Sequence, residues 1–282
     1  MPHLRLLIGG TLLVASFSAS AAMVEEIFDM PIAVKDHYGK EVNQTMKVTI
    51  FHDDEATAPQ PFLVIDHGRS SSNLNIGRSR YLNQSKYFVS KGFVVVVPTR
   101  VGYGETGGPD IDDAESCNRP KYESVFRITS AQSEAAIAFA KTKPYVDPTK
   151  GIVAGQSYGG MTAIATAAKN IPGVVGAINF AGGAGGNAAK SPKNPCRPDM
   201  IEDEFARFGK TSKIPTLWLY SENDLYFGTE KPKEWMDEFV KKGGTAEFVK
   251  LPTNGWDGHT IFSKDLSAWQ PAVERFIKTV GL

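Results

Sequence analysis

Residues 155–159 read Gly-Gln-Ser-Tyr-Gly, with another glycine at 160. A serine hydroxyl alone is a poor nucleophile. It needs a base to take its proton and a third group to steady that base. The G-x-S-x-G spacing fits a sharp turn between a strand and a helix, where small flanking residues let the serine backbone bend and lift its hydroxyl clear. The Tyr158 N–H would then sit at a helix start, where the dipole favours a developing oxyanion. The flanks agree, since "GIVA" precedes the motif and an alanine-rich stretch, 160–169, follows it. The bland alternative is a glycine-rich packing turn.

The chain has five histidines. His3, His37, His52 and His67 precede the serine, and only His259, in "NGWDGHTIF", follows it. With the order serine, acid, histidine, His259 is the candidate base. The acid should close a strand between the two. "PTLWLYSENDLYFG" offers Glu222 and Asp224. Asp224 is favoured because it lies further into the loop, with Glu222 as the fallback. Asp257 shares the histidine's own loop and is read as shaping that turn. A second oxyanion donor should follow the "FLVID" strand, where "HGRSSS" begins. The Arg69 backbone N–H is the first candidate and Ser70 the next, with His67 as a structural member of the loop.

These groups need a scaffold. Short continuous β-branched runs read as buried strands of a parallel sheet. They occupy 61–68, 93–98, 151–157, 174–180, 215–221 and 246–252, with an early hairpin pairing 32–34 with 46–51. Helical patterns over 79–91, 124–142, 160–169, 232–242 and 265–280 alternate with them. The expectation is an α/β fold: one doubly wound, mostly parallel sheet of about eight strands with helices on both faces and no large cap. Two irregular stretches, 99–123 and 181–213, follow strand C-terminal ends, the edge where such sheets bind ligands. Tyr103 and Trp256 are candidate pocket residues. Tyr122 and the "GGAGG" run also come within reach, whereas Trp218 sits inside a strand and reads as core.

Charge excludes some partners. The chain carries 31 basic and 31 acidic residues, so no general field recruits nucleic acid or an anionic membrane. The first 22 residues read as a signal peptide, with Arg5, a short apolar run and small residues before a cut at Ala21 or Ala22. The remainder, 23–282, reads as one domain, exported to a periplasmic or extracellular space, with no membrane association after cleavage. In an oxidising compartment Cys117 and Cys196 read as a disulfide, with free thiols as the alternative. Each lies in one of the two long loops, so a bond would tie them together on the site face. No metal-ligand spacing is present, and no cofactor is expected.

Taken together, His67-Gly68, Gly155–Gly159, Asp224 and His259 resemble the α/β-hydrolase superfamily. The "RVGYGETGG" loop and cap-free layout look like its dienelactone-hydrolase-like and small prolyl-oligopeptidase-like esterase branch. The resemblance spans nearly the whole chain from about Ile32. It departs at two points. Dienelactone hydrolase proper has a cysteine nucleophile where this chain has Ser157, so the lactone substrate does not carry over. "HGRS" also stands where lipases have "HGGG". The implied function is hydrolysis of a small-molecule carboxylic ester by Ser157, Asp224 and His259. An amidase or peptidase is the alternative, and a non-catalytic binding protein a third reading. The acyl and alcohol groups and the oligomeric state are not legible.

Overall fold

The valines of "VVVV" show how the chain builds its sheet. In β4 (Val94–Thr99), Val94 and Val96 enter one hydrophobic core while Val95 and Val97 enter the other. Side chains alternate along a strand, so an unbroken apolar run requires cover on both faces. Each fully buried valine contributes about 2 kcal/mol. β3 (Gln60–Asp66) follows the same rule, dividing Phe62 and Val64 from Leu63 and Ile65.

The computed structural model describes residues 23–70 and 77–282. The expected leader, 1–22, lies outside the described residues. β1 (Met23–Lys35) and β2 (Glu41–Asp53) form an antiparallel hairpin, and β2 pairs antiparallel with β4. β5 (Val146–Gln156), β6 (Val174–Phe180), β7 (Pro215–Ser221) and β8 (Thr245–Leu251) continue parallel to β4 and β3. Among the described residues the sheet has eight strands, in the order β1-β2-β4-β3-β5-β6-β7-β8. β1 is longer than the expected 32–34. Glu25, Glu26 and Asp29 dilute its apolar signal, and Pro31 is tolerated because β1 is an edge strand.

One face is covered by α2 (Tyr122–Ala140), α3 (Tyr158–Ala167), α4 (Pro198–Gly209) and α5 (Glu230–Lys241). The other is covered by α1 (Leu82–Ser90), the short α6 (Ile261–Lys264) and α7 (Leu266–Thr279). This is an α/β-hydrolase-like architecture. α4 corrects the expectation of an irregular 181–213. Ile201, Phe205 and Phe208 recur at i, i+4 and i+7 and are buried, while Asp203 and Arg207 face out. Pro198 opens the helix, where a missing N–H costs nothing. Among the described residues, no helix is long and apolar enough to cross a membrane.

Candidate active site

Ser157 links the end of β5 to the start of α3 with φ +58° and ψ −123°. That conformation costs a non-glycine residue roughly 1–3 kcal/mol. The surroundings hold it there. Its N–H donates to the Phe180 carbonyl at 3.0 Å, and its carbonyl accepts from Met161 at 3.1 Å and Gly183 at 3.2 Å. The glycines have a steric reason. A Cβ on Gly155 would lie 2.1 Å from the Gly159 oxygen, and one on Gly159 would lie 1.9 Å from the Asp66 oxygen. The turn fits against β3 only without side chains there. Tyr158 is the first residue of α3, so no carbonyl of that helix can reach its N–H.

The loops after β7 and β8 bring an acid to a histidine. His259 Nδ1 lies 3.0 Å from Asp224 Oδ2, and both side chains are buried. The other Asp224 oxygen accepts the N–H groups of Tyr226 at 2.7 Å and Phe227 at 3.0 Å. The Tyr226 ring stacks on the imidazole with centroids 4.0 Å apart, and Gln156 Nε2 donates to the His259 carbonyl at 2.8 Å. Asp257 accepts from the backbone of His259 and Leu225 at 3.0 Å each, so it shapes the turn. Glu222 is exposed and pairs with Lys250 at 3.0 Å, away from the imidazole.

The loop after β3 rests on a buried charged network absent from the sequence reading. The Arg69 guanidinium makes a two-pronged bond to Asp110 at 2.7 and 2.6 Å. It also meets Asp112 at 2.5 Å and the Tyr103 hydroxyl at 2.9 Å. Its charge is therefore answered by carboxylates. Tyr103 also donates to Asp112 at 2.8 Å, and burial, then the Asp112 charge, pushes the phenol above its ordinary range. Behind them Arg100, wholly buried at the end of β4, meets Asp112 at 3.0 Å. An arginine directly after a buried strand, followed by Asp110 and Asp112, was the available signal.

Two cavities meet at Ser157. One, of about 440 Å³, is walled by Tyr122, the 183–186 glycine-rich segment and the Cys117–Cys196 disulfide. The other, of about 340 Å³, is walled by His259, His67, Tyr81 and Tyr103. Arg69, Ser157 and Tyr226 border both. Trp256 borders neither and is 79% exposed, which corrects its expected pocket role. Asp257, next to it, turns inward to accept from Leu225 and His259, while the Trp256 indole faces solvent. Trp218 is core, donating its N–H to Thr216 at 2.9 Å.

A model of the dienelactone hydrolase family matches residues 76–265. The chain belongs to the dienelactone hydrolase family. Its members are α/β-hydrolase enzymes, and this chain is a hydrolase of that superfamily. The fold is similar to a putative dienelactone hydrolase from Klebsiella pneumoniae subsp. pneumoniae, with TM-score 0.62 and 16% identity over 92% of this chain and 98% of that one. It is similar to a dienelactone hydrolase-like promiscuous phosphotriesterase from metagenomic libraries, with TM-score 0.60 and 16% identity over 92% and 98%. A cold-adapted esterase from an Arctic intertidal metagenomic library gives TM-score 0.60 and 16% identity over 93% and 96%. At such identities the likeness concerns the fold. No curated protein matches the sequence. In the fold, Ser157, Asp224 and His259 follow β5, β7 and β8 at the carboxyl edge of one sheet.

Proposed function

We propose that this chain is an exported serine hydrolase that cleaves carboxylic esters through an acyl-enzyme. The observation that carries the reading is the 3.0 Å Asp224–His259 pair beside the cavity that the strained Ser157 also borders. The Asp224 carboxylate accepts the His259 Nδ1 proton and leaves Nε2 as the base. Nε2 takes the Ser157 proton as Oγ bonds to the ester carbonyl carbon. The N–H groups of Tyr158 and Arg69 hold the resulting oxyanion. As the C–O bond breaks, the imidazolium returns its proton to the departing alcohol. Water then attacks the acyl-enzyme by the same route and releases the acid. Each step uses only protein groups and water.

Export is supported by the Cys117–Cys196 disulfide, since such bonds persist in oxidising compartments. We infer that 1–22 is the leader. The function is tested with a short p-nitrophenyl ester and a fluorophosphonate probe. Ser157→Ala should lower turnover by at least about 10⁴-fold and abolish labelling. Retained turnover sinks the assignment. An aminoacyl-naphthylamide turned over faster than the ester overturns the choice of substrate.

A further inference from the structure

The described residues contain no cis peptide, so the Gly68–Arg69 peptide is trans and its N–H and C=O point to opposite sides. The Gly68 carbonyl is tied inward. It accepts from His67 Nδ1 at 2.7 Å and from Arg100 Nη2 at 3.3 Å. Arg100 also donates through Nη1 to the His67 carbonyl at 2.5 Å, while Asp112 anchors its Nε at 3.0 Å. The Arg100 backbone N–H donates to His67 Nε2 at 3.0 Å. These partners fix the ring's proton. Nε2 must accept from an N–H, and Nδ1 must donate to a carbonyl, so the imidazole is neutral. Burial, then the Arg100 charge, holds His67 well below its ordinary value, which keeps it so.

With the carbonyl anchored inward, the Arg69 N–H faces the other way. Gly68 itself packs against the nucleophile, since an added Cβ would lie 3.3 Å from Ser157 Cβ and 4.0 Å from its Oγ. The Arg69 side chain is held by Asp110 and Asp112 and does not rotate the backbone away. We propose that His67 and Arg100 are positioning residues: by holding the Gly68 carbonyl they aim the Arg69 N–H at the oxyanion. This rests on the serine-esterase reading. It assigns work to two side chains that touch no reacting atom.

The test compares two amides at position 67. His67→Asn keeps an N–H near the Nδ1 position, within reach of the Gly68 carbonyl. His67→Gln carries its amide out toward the Nε2 position and leaves that carbonyl without the ring's donor. Each is assayed for kcat and KM on a p-nitrophenyl ester and its thionoester. Sulfur accepts hydrogen bonds weakly, so the ester-to-thionoester rate ratio reads the oxyanion donors rather than general stability. His67→Gln should lose about 100-fold in kcat, the size expected for one oxyanion donor, with KM within about threefold and a collapsed ratio. His67→Asn should lose only about fivefold, the worth of one neutral hydrogen bond, and keep the ratio.

Unchanged kcat in His67→Gln overturns the proposal, as does a kcat loss with the ratio intact. A collapsed ratio in His67→Asn also overturns it, even if His67→Gln fails to fold. Failure of the serine-esterase reading would look different, because Ser157→Ala would then retain the wild-type rate.

Discussion

Asp224 Oδ2 and His259 Nδ1 meet at 3.0 Å although 35 residues separate them in the chain. The contact is one half of a fixed carboxylate, because the other oxygen already receives two backbone N–H groups. Only an oxygen can occupy that second position. The group facing the imidazole is therefore chosen by the backbone of the β7 loop as much as by the histidine.

Asp224→Asn turns that constraint into a prediction. The two N–H donors keep the amide oxygen on their side, so the NH₂ faces His259. The imidazole must then present a bare Nδ1 and carry its proton on Nε2, where it cannot accept one from Ser157. Turnover of a p-nitrophenyl ester near neutral pH should fall by about 10³–10⁴-fold with the fold intact. A loss of less than tenfold, with circular dichroism unchanged, would mean that Asp224 is not the orienting acid.

Gly159→Ala tests the turn itself. The new methyl would fall 1.9 Å from the Asp66 oxygen, a backbone atom of β3 with no room to retreat. Strand or helix must shift, at a cost of about 3 kcal/mol or more. The expected outcome is a lower unfolding midpoint in urea together with lost labelling by a fluorophosphonate. Wild-type stability would show that α3 can move away from β3.

Much of this was readable before the fold was known. β4 announces itself because a strand buried on both faces must be apolar, as Val94–Val97 are. The largely apolar runs of β6, β7 and the second half of β5 follow the same rule, while the largely exposed first half of β5, 147–150, carries no such signal. Ser157 and His259 follow from a local turn motif and from chain order. Less legible were groups whose partners come from distant elements. Arg100 stands at the head of an irregular, glycine-rich stretch and drew no functional reading of its own, yet it is wholly buried because Asp112 and the carbonyls of His67 and Gly68 meet it. Trp256 reads as a pocket aromatic, but no local pattern tells which way a side chain two residues before a 3₁₀ turn will face. The α4 stripe was hidden by its position inside a long loop rich in glycine, lysine and proline.

Asp66 should make stability depend on pH. Its carboxyl is fully buried at the end of β3, with Oδ2 accepting from Ser133 at 2.8 Å and Oδ1 without a hydrogen-bond partner among the described residues. Burial pushes it up to about 7, against the Ser133 hydroxyl and the Arg100 charge. Between roughly pH 4 and 7 the native state thus keeps a proton that the unfolded chain has released. Stability from this group is full below that window and is lost as pH rises through it. Asp66→Asn, neutral throughout, removes the slope. The stability gap between the two proteins, from urea unfolding at pH 5 and pH 8, should shift by about 2–4 kcal/mol in favour of the variant at the higher pH. Parallel pH dependences in both proteins would rule out Asp66 as the source.

The Cys117–Cys196 bond joins residues 79 apart and forms part of a cavity wall. Around it, the Tyr122 hydroxyl donates to the Cys196 carbonyl at 2.8 Å, and the Cys196 N–H donates to Gly185 at 2.9 Å. Cutting the crosslink therefore loosens the cavity lining before it reaches Ser157, Asp224 or His259, which stand on strand ends. Chain entropy puts the loss of stability at about 4 kcal/mol, a fall of roughly 10 °C in Tm for a chain of this size. In the Cys117→Ser/Cys196→Ser double variant KM for esters should rise, while kcat changes less. Reductant should reproduce both effects in the wild type and leave the double variant unchanged. Two free thiols in the mass spectrum of the protein purified without reductant would refute the crosslink. An intact bond whose reduction moves neither Tm nor KM would refute its role in shaping the cavity.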